Sequence, residues 1–531
     1  DGDPDLYVLG RGEPNRLLEN QGDGTFLDVT ELSGAGGGDR SSTSCSMGDV
    51  DGDGLLDIAV ANNFDMATNL AIFVEPFALN QPNELFLNQG GNVFVAAGVP
   101  SGFADVQEIT WAVAMVDYDQ DGDTDIVTAS DNAGIPFAVY GGVDRGFLRF
   151  YANDGSGHFT NRTGDLGMLA WPGDWMGLSF GDFDGNGTLD VMGTNTGDYF
   201  EPFFGIPGGL GDQASRWFLQ GADGTFSNPG VGRTVASPFG WGTAAVDYDN
   251  DGRTDILYYG GLDGGPIVDS SNPGTVLHNA GGADFYFDAE ALAGSVDHGY
   301  RAEHGLAVGD LNRDGFPDVV SVASHLIGPD LYPGLVPYPF EYGSPFDAEA
   351  SFFPTFLPGE NPGELVYSGV DFPGGNLVLE LSSGNRNRWL RVEALGTVDL
   401  TSRGTVNRSG IGAVVRFTPR RGETAIQPVL GGSSYASQHS LAQTFGMGRQ
   451  NRGTLEILWP GGTRNRLYDV RAREEILFPE IPCSFDDRSQ SVVAYVGCLH
   501  QSLRELGAAG VLNRRERARF FASAVRAFLT P

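Results

Sequence analysis

The sequence predicts an all-β chain: a β-propeller of seven blades, with six as the alternative count, followed by a small β-domain and a short α-helical tail. Three observations carry this reading. An acidic nine-residue phrase recurs with starts at residues 49, 117, 182, 247 and 310, which are 68, 65, 65 and 63 residues apart. A glycine turn ahead of an aromatic recurs between those starts: NQGDGTF at 20–26, NDGSGHF at 153–159 and QGADGTF at 220–226, with weaker copies NQGGNVF at 88–94 and NAGGADF at 279–285. Short apolar, β-branched runs such as Ile58-Ala59-Val60 and Ile126-Val127 flank the acidic phrases, and runs of this length read as strands. A fixed period holding about four strands and two turn types is the pattern of a radial propeller.

The acidic phrase is a cation loop. Its clearest copy, residues 117–125, reads DYDQDGDTD; the others are DVDGDGLLD at 49–57, DFDGNGTLD at 182–190, DYDNDGRTD at 247–255 and DLNRDGFPD at 310–318. Carboxylates this close repel one another unless a cation sits among them, and hard oxygens at positions one, three and five with glycine at six suit Ca²⁺. The expected side-chain ligands are Asp49, Asp51, Asp53 and Asp57; Asp117, Asp119, Asp121 and Asp125; Asp182, Asp184, Asn186 and Asp190; Asp247, Asp249, Asp251 and Asp255; and Asp310, Asn312, Asp314 and Asp318. Position seven, which is Leu55, Asp123, Thr188, Arg253 and Phe316, is expected to offer its backbone carbonyl. Asn186 and Asn312 replace aspartates and each keeps a ligand oxygen. The loops are not EF-hands, because position twelve is Val60, Thr128, Gly193, Tyr258 and Ser321 rather than glutamate. Five structural Ca²⁺ ions, each pinning the turn between two strands, are therefore expected.

These phrases resemble the FG-GAP, or VCBS, blades of the integrin α-subunit propeller, over roughly residues 1–325. The resemblance implies a propeller fold with calcium held in such loops. The chain opens inside a repeat, with DGDPDLYV matching positions five to nine and the strand after them, so the partners of Asp1 and Asp5 are expected upstream.

Charge narrows the partners. Asp and Glu total 69 against 32 basic residues, all of them arginine, for a net charge of −37. Such an acidic chain is a poor nucleic-acid binder. The imbalance is uneven: residues 1–384 hold 11 arginines and 57 acids, whereas residues 385–531 hold 21 arginines and 12 acids. That step marks a domain change near 385. No apolar run reaches the ~18 residues of a transmembrane helix. The three cysteines show no metal-binding spacing; Cys483 and Cys498 could close a small disulfide loop in an oxidising compartment or stay as two buried thiols, and Cys45 reads as core.

Four segments follow from these boundaries: the propeller at 1–325, a connecting stretch rich in proline and aromatics at 326–375, a β-domain at 376–482, and a helical tail at 483–531. The propeller carries an insertion at 199–213, where Phe200, Phe203 and Phe204 could form a contact patch or pack on the next blade, and a polar loop at 262–275. Residues 326–365 hold eight prolines and read as an extended segment lying over the propeller. In the β-domain, NRSGIGA at 407–413, GGSSYASQ at 431–438, FGMG at 445–448 and WPGG at 459–462 resemble, in this order, the ASPIC/UnbV domain that commonly follows FG-GAP repeats in cartilage-acidic-protein-like chains. The tail has helical spacing at 489–506 and 513–529, with Asn513 and Glu516 set to cap the second helix. Its apolar face of Phe520, Phe521, Val525, Phe528 and Leu529 is expected to dock on its own chain, on a neighbour or on a membrane surface.

No catalytic constellation stands out. The histidines are 158, 278, 298, 304, 325, 439 and 500, and the pairing of Ser434 with His439 lacks the G-x-S-x-G context of a nucleophile elbow. The sequence therefore reads as an extracellular or cell-surface binding, adhesion or assembly scaffold, with a protein or glycan ligand and with self-assembly through the basic tail as a further expectation. A carbohydrate-binding or carbohydrate-degrading propeller, and an accessory subunit of a surface complex or filament, are the alternatives.

Overall fold

The computed structural model describes residues 3–63, 81–103, 109–131, 146–197, 214–231, 237–261, 272–288, 290–291, 300–327, 356–358, 365–367 and 374–530. Within them the chain up to residue 479 is built of strands, with single helical turns at Thr30–Ser33, Gly98–Ser101 and Met168–Ala170. Six antiparallel sheets follow one another, the first five of them simple meanders. The second to fifth have four strands each: Ser42–Gly48 to Phe94–Ala96, Ile109–Val116 to Phe159–Asn161, Leu178–Gly181 to Phe226–Ser227, and Thr243–Val246 to Phe285–Phe287. The first, Leu6–Val8 with Arg16–Asn20 and Phe26–Asp28, has three. In the second to sixth sheets the acidic phrase joins the first strand to the second, and the glycine–aromatic phrase, where present, joins the third to the fourth. Both recurrent phrases are thus inter-strand turns, which is why they repeat in step.

The sheets pack face on face in order. Leu17, Val29, Ile58 and Phe86 fill the space between the first and second. Ala59, Phe103, Met115 and Tyr151 fill the next, then Val116, Phe150, Leu178 and Phe218, then Met192, Trp217, Ile256 and Phe285, then Leu257, Tyr259, Leu306 and Val319. Each fully buried side chain of this size is worth roughly 1.5–3 kcal/mol, so these five seams are what hold the sheets together.

The sixth sheet pairs Tyr300–Gly309 with Asp318–Ile327 and takes its third strand, Gly374–Glu380, from beyond the proline-rich stretch. The expected start of the β-domain, residue 376, therefore falls inside a propeller strand. Of the proline-rich stretch, Phe356–Pro358 and Leu365–Tyr367 form a two-stranded hairpin, with Pro358 at a strand end where its missing N–H does no harm. The insertion at 199–213 lies outside the described residues; of the polar loop at 262–275, residues 272–275 belong to the strand Asn272–Asn279 and the rest lie outside them.

The C-terminal domain packs the sheet of Arg388–Leu395, Gln443–Gly448 and Glu474–Pro479 against a four-stranded sheet of Val414–Pro419, Ala425–Pro428, Arg452–Leu458 and Arg464–Arg471. Two helices, Val492–Ala508 and Arg514–Leu529, close the same core with Leu499, Leu503, Phe520 and Phe528. The second helix carries the expected capping box between Asn513 and Glu516. Its apolar face docks on its own chain; of the residues expected there, Leu529 points outward. Cys483 and Cys498 are disulfide-bonded and tie the first helix to the end of the sheet. No described helix is long and apolar enough to cross a membrane.

Candidate metal loops and the domain that covers them

The first aspartate of each phrase organises its loop. Asp117 accepts the backbone N–H groups of Asp121 at 3.0 Å and Gly122 at 3.1 Å, Asp49, Asp247 and Asp310 make the equivalent bonds, and Asp182 accepts from Gly185 and Gly187. The loop needs two left-handed residues to do this. Position six is glycine in every copy, as expected from sequence. Position four is also left-handed, and there Gly52 and Gly185 alternate with Gln120, Asn250 and Arg313, at φ near 60°. Non-glycine residues held there cost on the order of 1 kcal/mol each, a strain the sequence reading missed.

The last aspartate is a strut. One oxygen of Asp125 accepts the N–H of Tyr118 at 3.3 Å and the other that of Asn153 at 2.8 Å, which locks the loop to the third strand. Asp57, Asp190, Asp255 and Asp318 repeat this with Asn88, Gln220, Asn279 and Ser382. Asp5 accepts the N–H of Asn20 at 2.8 Å, so the partial copy at the start keeps the register. The asparagines of the glycine turn also join neighbouring loops: Asn153 donates to Thr124 O and across to Val50 O, and Asn279 donates to Thr254 O and across to Phe183 O. Gln120 donates to Gly187 O, and Asn250 to Gly315 O. The five loops therefore form one linked series along one end of the sheets.

The carboxylates converge as a cation site requires. One oxygen from each of Asp49, Asp51 and Asp53, of Asp117, Asp119 and Asp125, of Asp182, Asp184 and Asp190, and of Asp247, Asp249 and Asp251 lies within 4.8 Å of the others in its group. Two unit charges at that separation repel by about 3 kcal/mol at an effective dielectric near 20. Burial first, and then the neighbouring carboxylates, push the carboxyl of Asp117 up to about 8; burial likewise raises Asp57 to about 7 and Asp190 to about 8, and holds Asp125, Asp247 and Asp255 well above the usual range. A cation among them favours their ionised form. The donor set is all oxygen in the first three loops, which fits a hard divalent ion.

The last two loops depart from this pattern. In the fourth, His278 brings a ring nitrogen within 4.8 Å of Asp249 and Asp255, and the Arg253 guanidinium pairs with Asp251. The signal was present in the sequence: His278 precedes the strut-bound Asn279, where the second to fourth sheets have Leu87, Ala152 and Leu219. In the fifth, Asp310, Asp314 and Asp318 form no such group among the described residues, and Arg391 Nη1 lies 3.9 Å from Asp310 Oδ2.

The C-terminal domain sits on this loop series. Gly461 N donates to Gly122 O at 2.8 Å and Gly448 N to Asn250 O at 2.9 Å. The side-chain amides of Asn385 and Asn387 donate to Asp249 O at 2.6 and 3.0 Å. Arg416 bonds Gln120 and donates to Gly187 O at 3.1 Å, joining the second and third loops. The fit is tight enough to require glycine. A Cβ on Gly446 would fall 1.9 Å from Asp247 Oδ2, one on Gly315 1.9 Å from Trp389 Nε1, and one on Gly54 2.8 Å from Thr405 O.

From the same domain a tongue, residues 431–440, enters along the first strands of the sheets. Ser46 Oγ donates to Gly432 O at 2.9 Å, Leu178 and Ser434 exchange two backbone bonds, and Thr243 N donates to Ser434 Oγ at 2.8 Å. Leu306 N donates to Ser437 Oγ, and Val308 N to His439 Nδ1. His439 Nε2 faces Thr243 O at 3.2 Å, so the ring is the neutral tautomer that donates there, and burial lowers its pKa to about 4. Tyr435 reaches Trp241 and Trp111, with ring centres 4.5 and 6.2 Å away. Ser434 and His439 are thus both engaged with propeller backbone rather than with each other.

Comparison with known proteins agrees with this architecture. Residues 404–482 match the ASPIC and UnbV family, and residues 1–60 and 204–258 match the FG-GAP-like repeat. The chain is 24% identical to human cartilage acidic protein 1, covering 70% of this chain and 72% of that protein. The same protein of Xenopus tropicalis is 30% identical over 34% of this chain and 25% of its own length. Mouse integrin alpha-8 is 27% identical over 29% of this chain and 14% of its own. The chain therefore carries FG-GAP-like repeats followed by an ASPIC and UnbV domain, in a mainly β fold whose first six sheets are antiparallel.

Proposed function

We propose that this chain, in which FG-GAP-like repeats are joined to an ASPIC and UnbV domain, is an extracellular or cell-surface scaffold of the adhesion type, stabilised by calcium and working by binding rather than catalysis. Similarity to cartilage acidic protein 1 and to an integrin α chain supports the extracellular, adhesion-type reading, and the Cys483–Cys498 disulfide suits an oxidising compartment. The observation that carries the calcium reading is the convergence of buried, mutually repelling carboxylates in loop after loop. The residues that would hold the ions are Asp49, Asp51, Asp53 and Asp57, Asp117, Asp119, Asp121 and Asp125, and Asp182, Asp184, Asn186 and Asp190, with the fourth and fifth phrases contributing their own sets. Bound calcium would supply the positive charge that lets these acids ionise while buried. Asp125 and its equivalents would then hold loop to strand whether or not the ion exchanges.

The ligand proposed is a protein of the cell surface or matrix. Metal analysis of protein purified in millimolar calcium tests the first half: fewer bound ions than the three all-oxygen loops would remove the reading. A glycan array and an assay for product release from polysaccharides test the second, since specific glycan capture or turnover would replace the protein-ligand scaffold with the carbohydrate alternative.

A further inference from the structure

We propose that the C-terminal domain reads the cation state of the loops beneath it: filled loops form the seat on which it docks, and stripped loops release its tongue from the first strands of the sheets. This rests on the calcium reading above.

The seat is built from the loops themselves. Every one of the five phrases touches the domain, through Gly54 against Thr405, Gly122 against Gly461 and Gly462, Gly187 against Arg416, Asp249 and Asn250 against Asn385 and Gly448, and Gly315 against Trp389. Most of these contacts go to loop main chain, at or beside the two left-handed positions. The conformation of that main chain is set by the inward turn of the aspartates, so anything that splays the carboxylates moves the seat. Among the described residues, the domain's arginines that reach the loops are Arg391 at the fifth and Arg416 between the second and third. The first and fourth loops meet backbone, amides and apolar groups that cannot neutralise them. In a loop stripped of its cation, carboxylates whose oxygens lie within 4.8 Å of one another lose the common ligand that draws them inward, and the main chain they shape loses a restraint on its seat conformation.

The tongue carries the state further. It hydrogen-bonds the first strands of the second, fourth, fifth and sixth sheets, yet belongs to the domain that the loops seat. Its backbone is left-handed at Gly432, Ser434 and Ala436, at φ of 137°, 63° and 46°, a conformation held by those bonds and unfavourable without them. The segment that leads into it, Gly412 to Val429, is anchored in the domain core through Ala413 and Val429. Tongue and domain therefore move as one body.

The test is hydrogen exchange of the full chain in millimolar calcium and in excess EGTA, with ion content measured on the same samples. Peptides covering 431–440 and 446–448 are expected to exchange at least ~10-fold faster after chelation, while the domain's own core, Leu455, Ile457 and Leu467, stays protected. Gly446→Ala, which places a methyl against Asp247 Oδ2, should give the same tongue exposure with calcium present and with ions retained in the first and second loops. Ions leaving the loops while 431–440 stays protected would overturn the proposal and leave the calcium reading standing. No bound ions before chelation would overturn both. Fast exchange across the core as well would show global unfolding rather than release, and would also overturn it.

Discussion

The second and fourth loops share the pattern Asp-x-Asp-x-Asp-Gly-x-x-Asp and the same internal hydrogen bonds, yet they handle their charge differently. Around the second, Asp117, Asp119 and Asp125 face one another with oxygen alone. Around the fourth, the His278 ring stands against Asp255 and Arg253 pairs with Asp251, so the guanidinium meets part of the charge. The backbone of such a loop is therefore fixed by its first and last aspartates, whereas the groups around its carboxylates differ at position seven and at the residue ahead of the third-strand asparagine.

Chelation should break the comparison most visibly. At ~100-fold excess over Kd each site adds about 2.7 kcal/mol, so stripping the three all-oxygen loops should lower Tm by many degrees. The expected trace is a large loss in EGTA, restored by calcium; an unchanged Tm would mean that the loops are held without ions. A strut comes next. Asp125→Ala leaves the N–H groups of Tyr118 and Asn153 buried without acceptors and should cost about 3–5 kcal/mol even in EGTA. Denaturant titration would show it, and a loss confined to calcium-containing buffer would make Asp125 a ligand only.

The effect of pH is smaller and carries a definite sign. In ion-free protein, Asp117 and Asp190 have folded values of about 8 against an unfolded value near 3.8, so the folded state binds the extra protons. Their contribution is complete below about pH 4 and is lost as pH rises towards 8, on the order of 2 kcal/mol once partial solvent access is discounted. Ion-free Tm should therefore fall with pH while the calcium-loaded protein does not follow, because calcium replaces the protons; parallel curves would contradict this. The smallest effect sharpens the difference between loops. Arg253→Leu gives the fourth loop the position-seven residue of the first, Leu55, and removes its resident cation. Calcium affinity at that loop should rise about 3- to 10-fold, with little change in folding stability; calorimetry that finds weaker binding would mean that Arg253 organises the site.

Much of this was legible in the chain because it is local. The acidic phrase implies its own turn, and five turns at one period imply stacked sheets. Asn513 and Glu516 three residues apart gave the start of the last helix, since capping involves neighbours in sequence. His278 was legible only by aligning repeats with one another, because an isolated histidine in a strand has no local signature. The left-handed conformation at Gln120, Asn250 and Arg313 was hidden for a similar reason: glycine at 52 and 185 signals it, but the other three residues give no warning.

By itself the sequence determined the strands, the turns between them, the chemistry of the loops and the order of the two domains, all set by residues within about ten positions of one another. Only the tertiary structure decided that Gly374–Glu380 returns to the sixth sheet, that GGSSYASQ runs along the first strands of sheets up to 386 residues distant, and that a second domain rests on the loops. Those contacts join segments whose own patterns are satisfied without them. What selects them is shape: glycines at 54, 315 and 446 that leave room for a neighbouring backbone, carboxylate or ring, and polar groups on the first strands that need partners once water is displaced from between the sheets.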